Sequence, residues 1–172
     1  AHQLVDDRLD RVASMLRRLI SQTRVRPDVP AHELTKELVG AKLFTVMTHD
    51  REKGVASRIY SNMPDAYPVS GTKPANETDW SRQVIQEKRT FVANDIAGIA
   101  AVFVDHELIQ SLGCESVINV PIIVGGNVLG TINCLHEAGF YTAERVEAAE
   151  ALKLPGAVCL LLNERMSPAG EL

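Results

Sequence analysis

The chain has 172 residues, of which 45% are hydrophobic and 23% are charged, and its formal net charge at pH 7 is −4. This length and composition are typical of one soluble globular domain, and no apolar run approaches the roughly 20 residues that span a bilayer. The negative charge argues against a nucleic-acid partner for the domain as a whole.

Cysteine usage predicts a reducing setting. Cys114, Cys134 and Cys159 are odd in number and widely spaced, so they form neither a metal knuckle nor an evident disulfide framework. Each lies in an apolar context, where a free cysteine usually acts as a small hydrophobic residue. Because a secretory leader is also not evident, we expect a cytoplasmic protein.

The first predicted element is an amphipathic helix over residues 3–22. Its apolar stripe recurs at alternating steps of four and three residues: Val5, Leu9, Val12, Leu16 and Leu19. Such a rhythm fits a coiled-coil seam, but the run is too short to be stable alone in water. We therefore expect residues 1–26 to pack on their own domain or on a second copy. The arginines near its end fit a solvated helix end better than a nucleic-acid patch.

Pro27 and Pro30 are expected to break the chain before the main domain, which spans residues 30–166. A short helix and two strands then follow, at residues 32–39, 42–49 and 55–61. Residues 62–77 contain three prolines and one glycine, which argues against regular structure there. A connection of this length tends to be functional or mobile, and we expect it to cross the sheet and help close a cavity.

The second half of the chain alternates short helices and strands. A helix is predicted over residues 79–87 with Asn76 or Thr78 as its cap, then a strand over 89–94. Asp105 is expected to cap a helix over 106–112, which Gly113 ends in a left-handed conformation. Thr142 caps a final helix to about Met166, and Pro155 kinks it near Ala151 and Leu152. Residues 167–172 form a polar tail that we expect to fray.

Ser116–Glu137 contains the clearest hairpin signal, since two apolar runs flank Gly125-Gly126. A simple two-residue turn places Val124 opposite Asn127, Val120 opposite Thr131, Ile118 opposite Asn133 and Pro121 opposite Gly130. Side chains alternate along strands, so one predicted face carries Ile118, Val120, Ile122, Leu129, Thr131, Asn133 and Leu135. Both faces are mainly apolar and need covering layers. The predicted fold class is α+β, an antiparallel sheet of about five strands with helices on both faces.

The segment LGCESVINVPIIVGGNVLGTINCLHEAGFYT resembles the signature of a GAF domain. The matching residues are Val120-Pro121-Ile122, the glycine turn Gly125-Gly126, and Val128-Leu129-Gly130. The resemblance covers residues 30–166, and the order of elements agrees throughout. It implies a small-molecule-binding or regulatory module, often dimeric through its first and last helices.

Two functional classes of GAF domain are disfavoured by departures from their patterns. Cyclic-nucleotide binders and free methionine-(R)-sulfoxide reductases resemble one another in an acidic residue at the position of Asn133, where an amide cannot act as an acid or base. The reductases also have a glutamate where this chain has Val117, and a catalytic cysteine further upstream than Cys114. Trp80 replaces a small residue and either crowds a purine-sized cavity or stacks on a different ligand.

Bilin and metal sites are disfavoured as well. Covalent bilin attachment usually uses a thiol beside a histidine, and no such pair occurs in the sequence. Cys134 and His136 could share a metal, but a structural site needs about four ligands. The remaining candidate ligands, His32, His49 and His106, would have to meet through the fold. The sequence identifies no cofactor.

The candidate ligand-binding residues are Trp80, Phe91, Asn94, Asp95, Phe103, His106, Ile109, Ile118, Thr131 and Asn133. The aromatic and apolar members could instead be core residues, and Asn94, Asp95 and His106 could cap helices or face solvent. Asn133 is buried in the predicted sheet and must find partners, since an unpaired amide costs about 1–3 kcal/mol.

We interpret the sequence as a non-catalytic sensor or regulatory domain with an unidentified small ligand, acting as a homodimer in signalling or transcriptional control. Two alternatives stay open at this point. The chain could be a structural dimerisation module that binds no ligand, or a redox enzyme related to the sulfoxide reductases.

Overall fold

An antiparallel sheet forms the centre of the chain in the computed structural model, which describes Ser14 and residues 28–69, 72–74 and 77–166. The strands are β1 (Leu43–Asp50), β2 (Val55–Ser61), β3 (Thr72–Pro74), β4 (Phe91–Ala93), β5 (Ser116–Val124) and β6 (Asn127–His136). Their order in the sheet is β3-β2-β1-β6-β5-β4, with every described pairing antiparallel. The long hairpin β5–β6 therefore lies near the middle of the sheet, as its two apolar faces predict.

The helices are α1 (Asp28–Leu38), α2 (Asp79–Ser81), α3 (Ile96–Ala100), α4 (His106–Ser111), α5 (Ala143–Glu150) and α6 (Lys153–Met166). A π-helical turn, Arg82–Gln86, continues α2. None of the described helices is both long and apolar enough to cross a bilayer. The predicted helix over residues 3–22, apart from Ser14, and the predicted tail over 167–172 lie outside the described residues.

Layers cover the sheet on both sides. On what we call the helix face, α1, α5 and α6 pack against a core that includes Phe44, Ile118 and Ile132. On the opposite face, which we call the cavity face, a second cluster joins Leu43 and Val117 to Ile99 of α3 and Ile109 of α4. The α+β sheet with helices on both faces is thus confirmed.

The hairpin turn forms as predicted, but its register does not. Gly125 and Gly126 have φ angles of 56° and 79°, and Val124 pairs with Asn127. The pairing shifts between Ile122 and Ile123: Ile123 lies opposite Val128, whereas Ile122 lies opposite Gly130. From Ile122 back to Ser116, each residue therefore lies opposite a residue one position further along β6 than predicted. The prediction of an unbroken ladder was wrong because a β-bulge inserts an extra residue into one strand.

The bulge changes which side chains share a face. Ile118 pairs with Cys134 and Asn119 pairs with Asn133, whereas the sequence predicted Ile118 opposite Asn133. Ile118 accordingly packs in the helix-face core, and Asn133 lies on the cavity face with Asn119. The predicted face that joined Ile118 to Thr131 and Asn133 is therefore wrong.

Three further expectations differ from the structure. Helix α1 begins at Asp28 rather than His32, because Pro30 sits in the first turn, where a missing N–H is tolerated. The connection at 62–77 contains the short strand β3, which pairs with β2. Helix α3 was not predicted, although Asp95 caps it by accepting from the Gly98 N–H at 2.7 Å.

The caps are otherwise close to expectation. Thr78 caps α2 through the Ser81 N–H, and Thr142 caps α5. Gly113 ends α4 with a φ of 70°. The final helix is divided into α5 and α6 at Ala151 and Leu152, where the kink was predicted. Asp105 precedes α4 but its side chain makes no capping hydrogen bond, because its backbone, at φ −93° and ψ 22°, lacks the extended conformation of an N-cap. Its carboxylate accepts from Tyr67 instead.

Candidate functional site

A cavity of about 440 Å³ lies between the cavity face and the segment from α2 to α4. Its floor comes from β1, β2, β5 and β6, and its opposite wall from α2, the π-helical turn and the chain around α4. Much of the wall is apolar, including Met47, Ile85, Phe103, Ile109 and Val117. A cavity of this size and lining falls within the range of small-molecule sites, roughly 300–1,000 Å³.

A chain of side-chain hydrogen bonds crosses the floor of the cavity. The Trp80 Nε1–H donates to Asn119 Oδ1 at 2.9 Å, and Asn119 Nδ2 donates to Asn133 Oδ1 at 2.7 Å. Asn133 Nδ2 in turn donates to Thr45 Oγ1 at 3.2 Å. These contacts join α2 to three neighbouring strands. Since a buried amide is costly when unpaired, the chain satisfies both asparagines and fixes the position of the indole ring.

Trp80 sits between two other rings of the cavity wall. Its ring centroid is 6.3 Å from that of Phe103, at an interplanar angle of 64°, and 6.3 Å from that of His49, at 32°. Phe103 also meets Phe91 edge to face. Edge-to-face contacts of this kind favour a fixed arrangement of rings. The aromatic wall is therefore preorganised, with the indole held both by ring contacts and by its hydrogen bond.

Arg58, Tyr67 and Asp105 form a polar group at the side of the cavity. The Arg58 guanidinium carbon lies 4.7 Å from the centre of the Tyr67 ring, and the Tyr67 hydroxyl donates to Asp105 Oδ2 at 2.7 Å. Burial, helped by the bond to Asp105, raises the pKa of Tyr67, so the phenol keeps its proton. Desolvation lowers the pKa of Arg58, while Tyr67 and Asp105 oppose that change. An arginine nevertheless stays charged at neutral pH.

Three buried polar atoms near the floor have no hydrogen-bond partner in the described part of the chain. They are Arg58 Nε, His49 Nε2 and Thr131 Oγ1. Arg58 and His49 line the cavity, and Thr131 lies on the same strand face as Asn133 by alternation. Burial lowers the pKa of His49, which favours a neutral imidazole. Most buried polar groups in proteins are paired, so these atoms are the clearest chemical anomaly of the cavity.

The structure brings four of the ten predicted site residues to the cavity wall: Trp80, Phe103, Ile109 and Asn133. They come from α2, the chain before α4, α4 itself and β6. The sequence placed Trp80 and Asn133 in the site for their chemistry, and the hydrogen-bond chain through Asn119 now connects them.

The other six predicted residues occupy different positions among the described residues. Phe91 packs behind Phe103, and Ile118 belongs to the helix-face core. Asn94 exchanges hydrogen bonds with the backbone of Tyr141, and Asp95 caps α3. His106 Nδ1 lies 3.2 Å from the Phe103 carbonyl oxygen, and Thr131 lies under the cavity floor without lining it.

Sequence reasoning missed several cavity residues, chiefly His49, Arg58, Tyr67 and Asn119. Two of them carried a usable signal. Thr45, Met47 and His49 alternate with Phe44 and Val46, which marks a second strand face of different polarity. Arg58 is the one charged residue of strand β2. Tyr67 carried none, because it lies in the loop where no regular structure was predicted.

None of the three cysteines is among the described residues that line the cavity. Cys134 and Cys159 belong to the helix-face core, and Cys114 lies in the second cluster. Burial raises the pKa of both Cys114 and Cys134, which disfavours their reactive thiolate forms. Among the described residues, no group of three or more histidine, cysteine or acidic side chains is arranged to hold a metal ion.

Comparison with known proteins places residues 31–153 in a match to the family model described as "GAF domain". No curated protein matches the chain. The similarity to solved structures is spread over nearly the whole chain, but at sequence identities that establish the fold alone.

Three of these structures illustrate the similarity. The GAF domain of a phosphoenolpyruvate-protein phosphotransferase from Coxiella burnetii has a TM-score of 0.70 at 13% identity, covering 92% of this chain and 95% of that one. The corresponding domain from Acinetobacter has a TM-score of 0.69 at 10% identity, with coverages of 94% and 96%. The phycocyanobilin-bound GAF domain of a cyanobacterial phytochrome has a TM-score of 0.66 at 14% identity, with coverages of 94% and 97%.

Proposed function

Because the chain belongs to the GAF domain family, we propose that it is a non-catalytic regulatory domain that binds a small molecule in the cavity between the sheet and the α2–α4 segment. The observation that carries this proposal is the cavity itself, with its volume of about 440 Å³. Its apolar walls and few buried polar groups are the usual composition of a small-molecule site. Its preorganised aromatic wall reduces the ordering cost of binding.

The structural neighbours are consistent with this proposal. One of them is described as a phycocyanobilin-bound GAF domain, and another comes from a two-component sensor histidine kinase. The GAF fold therefore accommodates a bound small molecule and occurs in signalling proteins. We propose a signalling or transcriptional-control role for this chain on the same basis.

The absence of catalysis is part of the proposal. Asn133 is an amide, and both ends of it are engaged with Asn119 and Thr45. The described cavity wall contains no cysteine, which argues against a thiol nucleophile of the sulfoxide-reductase kind. Turnover of free methionine sulfoxide by the purified protein would contradict this assignment.

We further propose that the protein acts in the cytoplasm as a homodimer, joined through its first and last helices. Two apolar side chains of α6, Leu154 and Leu161, are 61% and 40% exposed. They are seven residues apart and so lie on one side of the helix. An exposed apolar stripe of this kind is available to a second copy.

The binding proposal is tested by filling the cavity. Ala56 lines it from β2, so Ala56→Phe should occupy space that a ligand needs. Ala100→Phe places the same ring on an exposed position of α3 and is the matched control. Native mass spectrometry and thermal-shift screening of the wild type against a metabolite library identify a retained or stabilising molecule. We expect Ala56→Phe to abolish that binding and Ala100→Phe to preserve it.

A negative binding screen would contradict the binding proposal. If the wild-type cavity retains nothing and no molecule of a broad library shifts its melting temperature, the chain is a ligand-free dimerisation module instead.

A further inference from the structure

Arg58 is a half-buried cation of the cavity wall, and its guanidinium has an unused donor. Its Nη1 donates to the Pro68 carbonyl oxygen at 3.1 Å, but its buried Nε has no hydrogen-bond partner in the described residues. It also forms no ion pair with a carboxylate there. The Nε edge of a guanidinium is one of the edges that bind a carboxylate through two parallel hydrogen bonds. That edge has no partner among the described residues, and Arg58 lines the cavity.

The other charged groups of the cavity wall are already engaged. Asp105 accepts from Tyr67, Arg51 donates to Asn127, and Glu77 accepts from Gln86. Asp50 accepts from the backbone N–H groups of Glu52 and Lys53 and forms an ion pair with the Lys53 side chain. Arg58 thus differs from these charged neighbours, because its buried Nε–H has no hydrogen-bond partner among the described residues.

His49 offers a second polar group to the same ligand. Met47 pairs with Arg58, and His49 lies two residues further along β1 on the same face. Diagonal neighbours of this kind are separated by roughly 7–8 Å, which one small molecule can span. His49 Nε2 is buried without a described partner, and its ring lies beside Trp80.

The remaining walls define the body of the ligand. Trp80 and Phe103 supply ring surfaces, and Met47, Ile109 and Val117 supply aliphatic surface. At the packing density of protein interiors, about 0.74, the cavity takes a molecule of roughly 300 Å³. Apolar bulk close to a half-buried cation with an unpaired donor matches a molecule with one acidic end.

We propose that the cavity binds a small organic carboxylate with a planar apolar body, its carboxylate on the Nε edge of Arg58 and its body against Trp80. This inference rests on the proposed binding function and assigns the chemical class of the ligand. The carboxylate supplies the acceptor that Arg58 Nε lacks. The planar body extends the aromatic wall that the hydrogen-bond chain holds in place.

The test compares three probes with the same phenyl body and different ends. They are 3-phenylpropionate, its neutral amide 3-phenylpropionamide, and 2-phenylethylphosphonate. Trp80 is the only tryptophan, so its fluorescence reports binding at the cavity wall, with calorimetry as a second measurement. Because charge-assisted hydrogen bonds are about twice as strong as neutral ones, we expect the carboxylate to bind at least about tenfold more tightly than the amide. We also expect it to bind more tightly than the phosphonate.

Two substitutions give effects of opposite sign. Arg58→Gln should remove the preference for the carboxylate over the amide, and Arg58→Lys should restore part of it. Asp105→Asn keeps an oxygen for the Tyr67 hydroxyl but removes a negative charge near Arg58, so it should tighten carboxylate binding. A purely structural role for these residues would not produce tighter binding. Arg89→Gln removes an exposed arginine that does not line the cavity; it is the matched control and should change affinity by less than about twofold.

The possible failures are distinguishable. If the amide or the phosphonate binds as well as the carboxylate, the assignment of a carboxylate ligand is wrong, although the cavity still binds small molecules. An equal loss of carboxylate affinity in Arg89→Gln and Arg58→Gln also contradicts it, because the overall positive charge would then explain the preference. If no probe binds and the metabolite screen is negative too, the binding function and this inference fail together.

Discussion

Two asparagine side chains in the middle of a sheet need an explanation at the level of single residues. Asn119 and Asn133 are 3% and 6% exposed, and they face each other across β5 and β6. Their amides pass hydrogen bonds from Trp80 to Thr45. Buried polar networks are stable only when all their members are hydrogen-bonded. These four side chains therefore form one hydrogen-bonded network, which fixes α2 against the sheet.

Trp80→Phe tests that network. The substitution keeps an aromatic ring near Phe103 but removes the indole N–H, which leaves Asn119 Oδ1 without its donor. We expect the free energy of unfolding to fall by about 1–2 kcal/mol. Urea denaturation followed by circular dichroism measures it, because the variant has lost the only tryptophan.

A double-mutant cycle provides the control. In an Asn119→Ala background the acceptor is already gone, so Trp80→Phe should cost less there than in the wild type. Equal costs in the two backgrounds would show that the indole stabilises through packing alone.

The histidines predict how stability depends on pH. Burial lowers the pKa of His49, His32 and His136 in the folded protein below the ordinary value of 6.5. Below pH 6.5 the unfolded chain therefore binds more protons than the folded protein, and stability decreases as the pH falls. One histidine contributes a slope of at most about 1.4 kcal/mol per pH unit.

His49→Gln checks the contribution of the cavity histidine. Urea unfolding of wild type and variant at pH 7.5 and pH 5.5 should show a smaller loss of stability in the variant at the lower pH. A variant that loses as much stability as the wild type would contradict a buried, neutral His49.

At the scale of elements, the β5–β6 hairpin shows what the sequence can and cannot predict. The Gly125-Gly126 turn was predictable because its residues must adopt positive φ angles. The bulge was not predicted, although Gly130 stands in β6 beside the extra residue, Leu129, and a glycine inside a strand often marks a bulge. One inserted residue reverses the facing of the rest of the ladder. That single shift moved Ile118 out of the site and brought Asn119 into it.

Gly130 of β6 lies where β1 and α6 approach the strand closely. A Cβ atom at this buried position would overlap the Met47 carbonyl oxygen on β1 and the Leu160 side chain on α6. At the turn, a Cβ on Gly126 would meet nothing, so only its φ of 79° opposes a side chain. We expect Gly130→Ala to lower the free energy of unfolding by about 3 kcal/mol and Gly126→Ala by about 1 kcal/mol. Denaturant unfolding of the pair measures the difference, and similar losses would contradict close packing at Gly130.

At the scale of the whole molecule, the two faces of the sheet have different tasks. The helix face carries the larger apolar core, with Phe44, Tyr141 and Leu160 buried beneath α1, α5 and α6. The cavity face carries the hydrogen-bonded side chains from Trp80 to Thr45. It also carries the buried polar atoms of Arg58 and His49, which have no partner among the described residues. Composition and periodicity were enough to predict the layers, because burial alone determines them. The site was less predictable because Arg58 and Tyr67 meet Asp105 only through long-range folding.

The outer surface of α6 yields the last prediction, which concerns assembly. Leu154 and Leu161 remain exposed on one side of this helix, and the apolar stripe predicted in residues 3–22 needs a partner surface. If these two helices meet in a homodimer, a charged side chain placed on α6 would lose its hydration without gaining a partner, which is costly. We expect the wild type to sediment as a dimer at tens of micromolar and Leu161→Glu to shift it to monomer. Val104→Glu is the control, because Val104 is 97% exposed near α4 and lies off this surface. A wild type that sediments as a monomer, or a control that dissociates equally, would contradict dimerisation through α6.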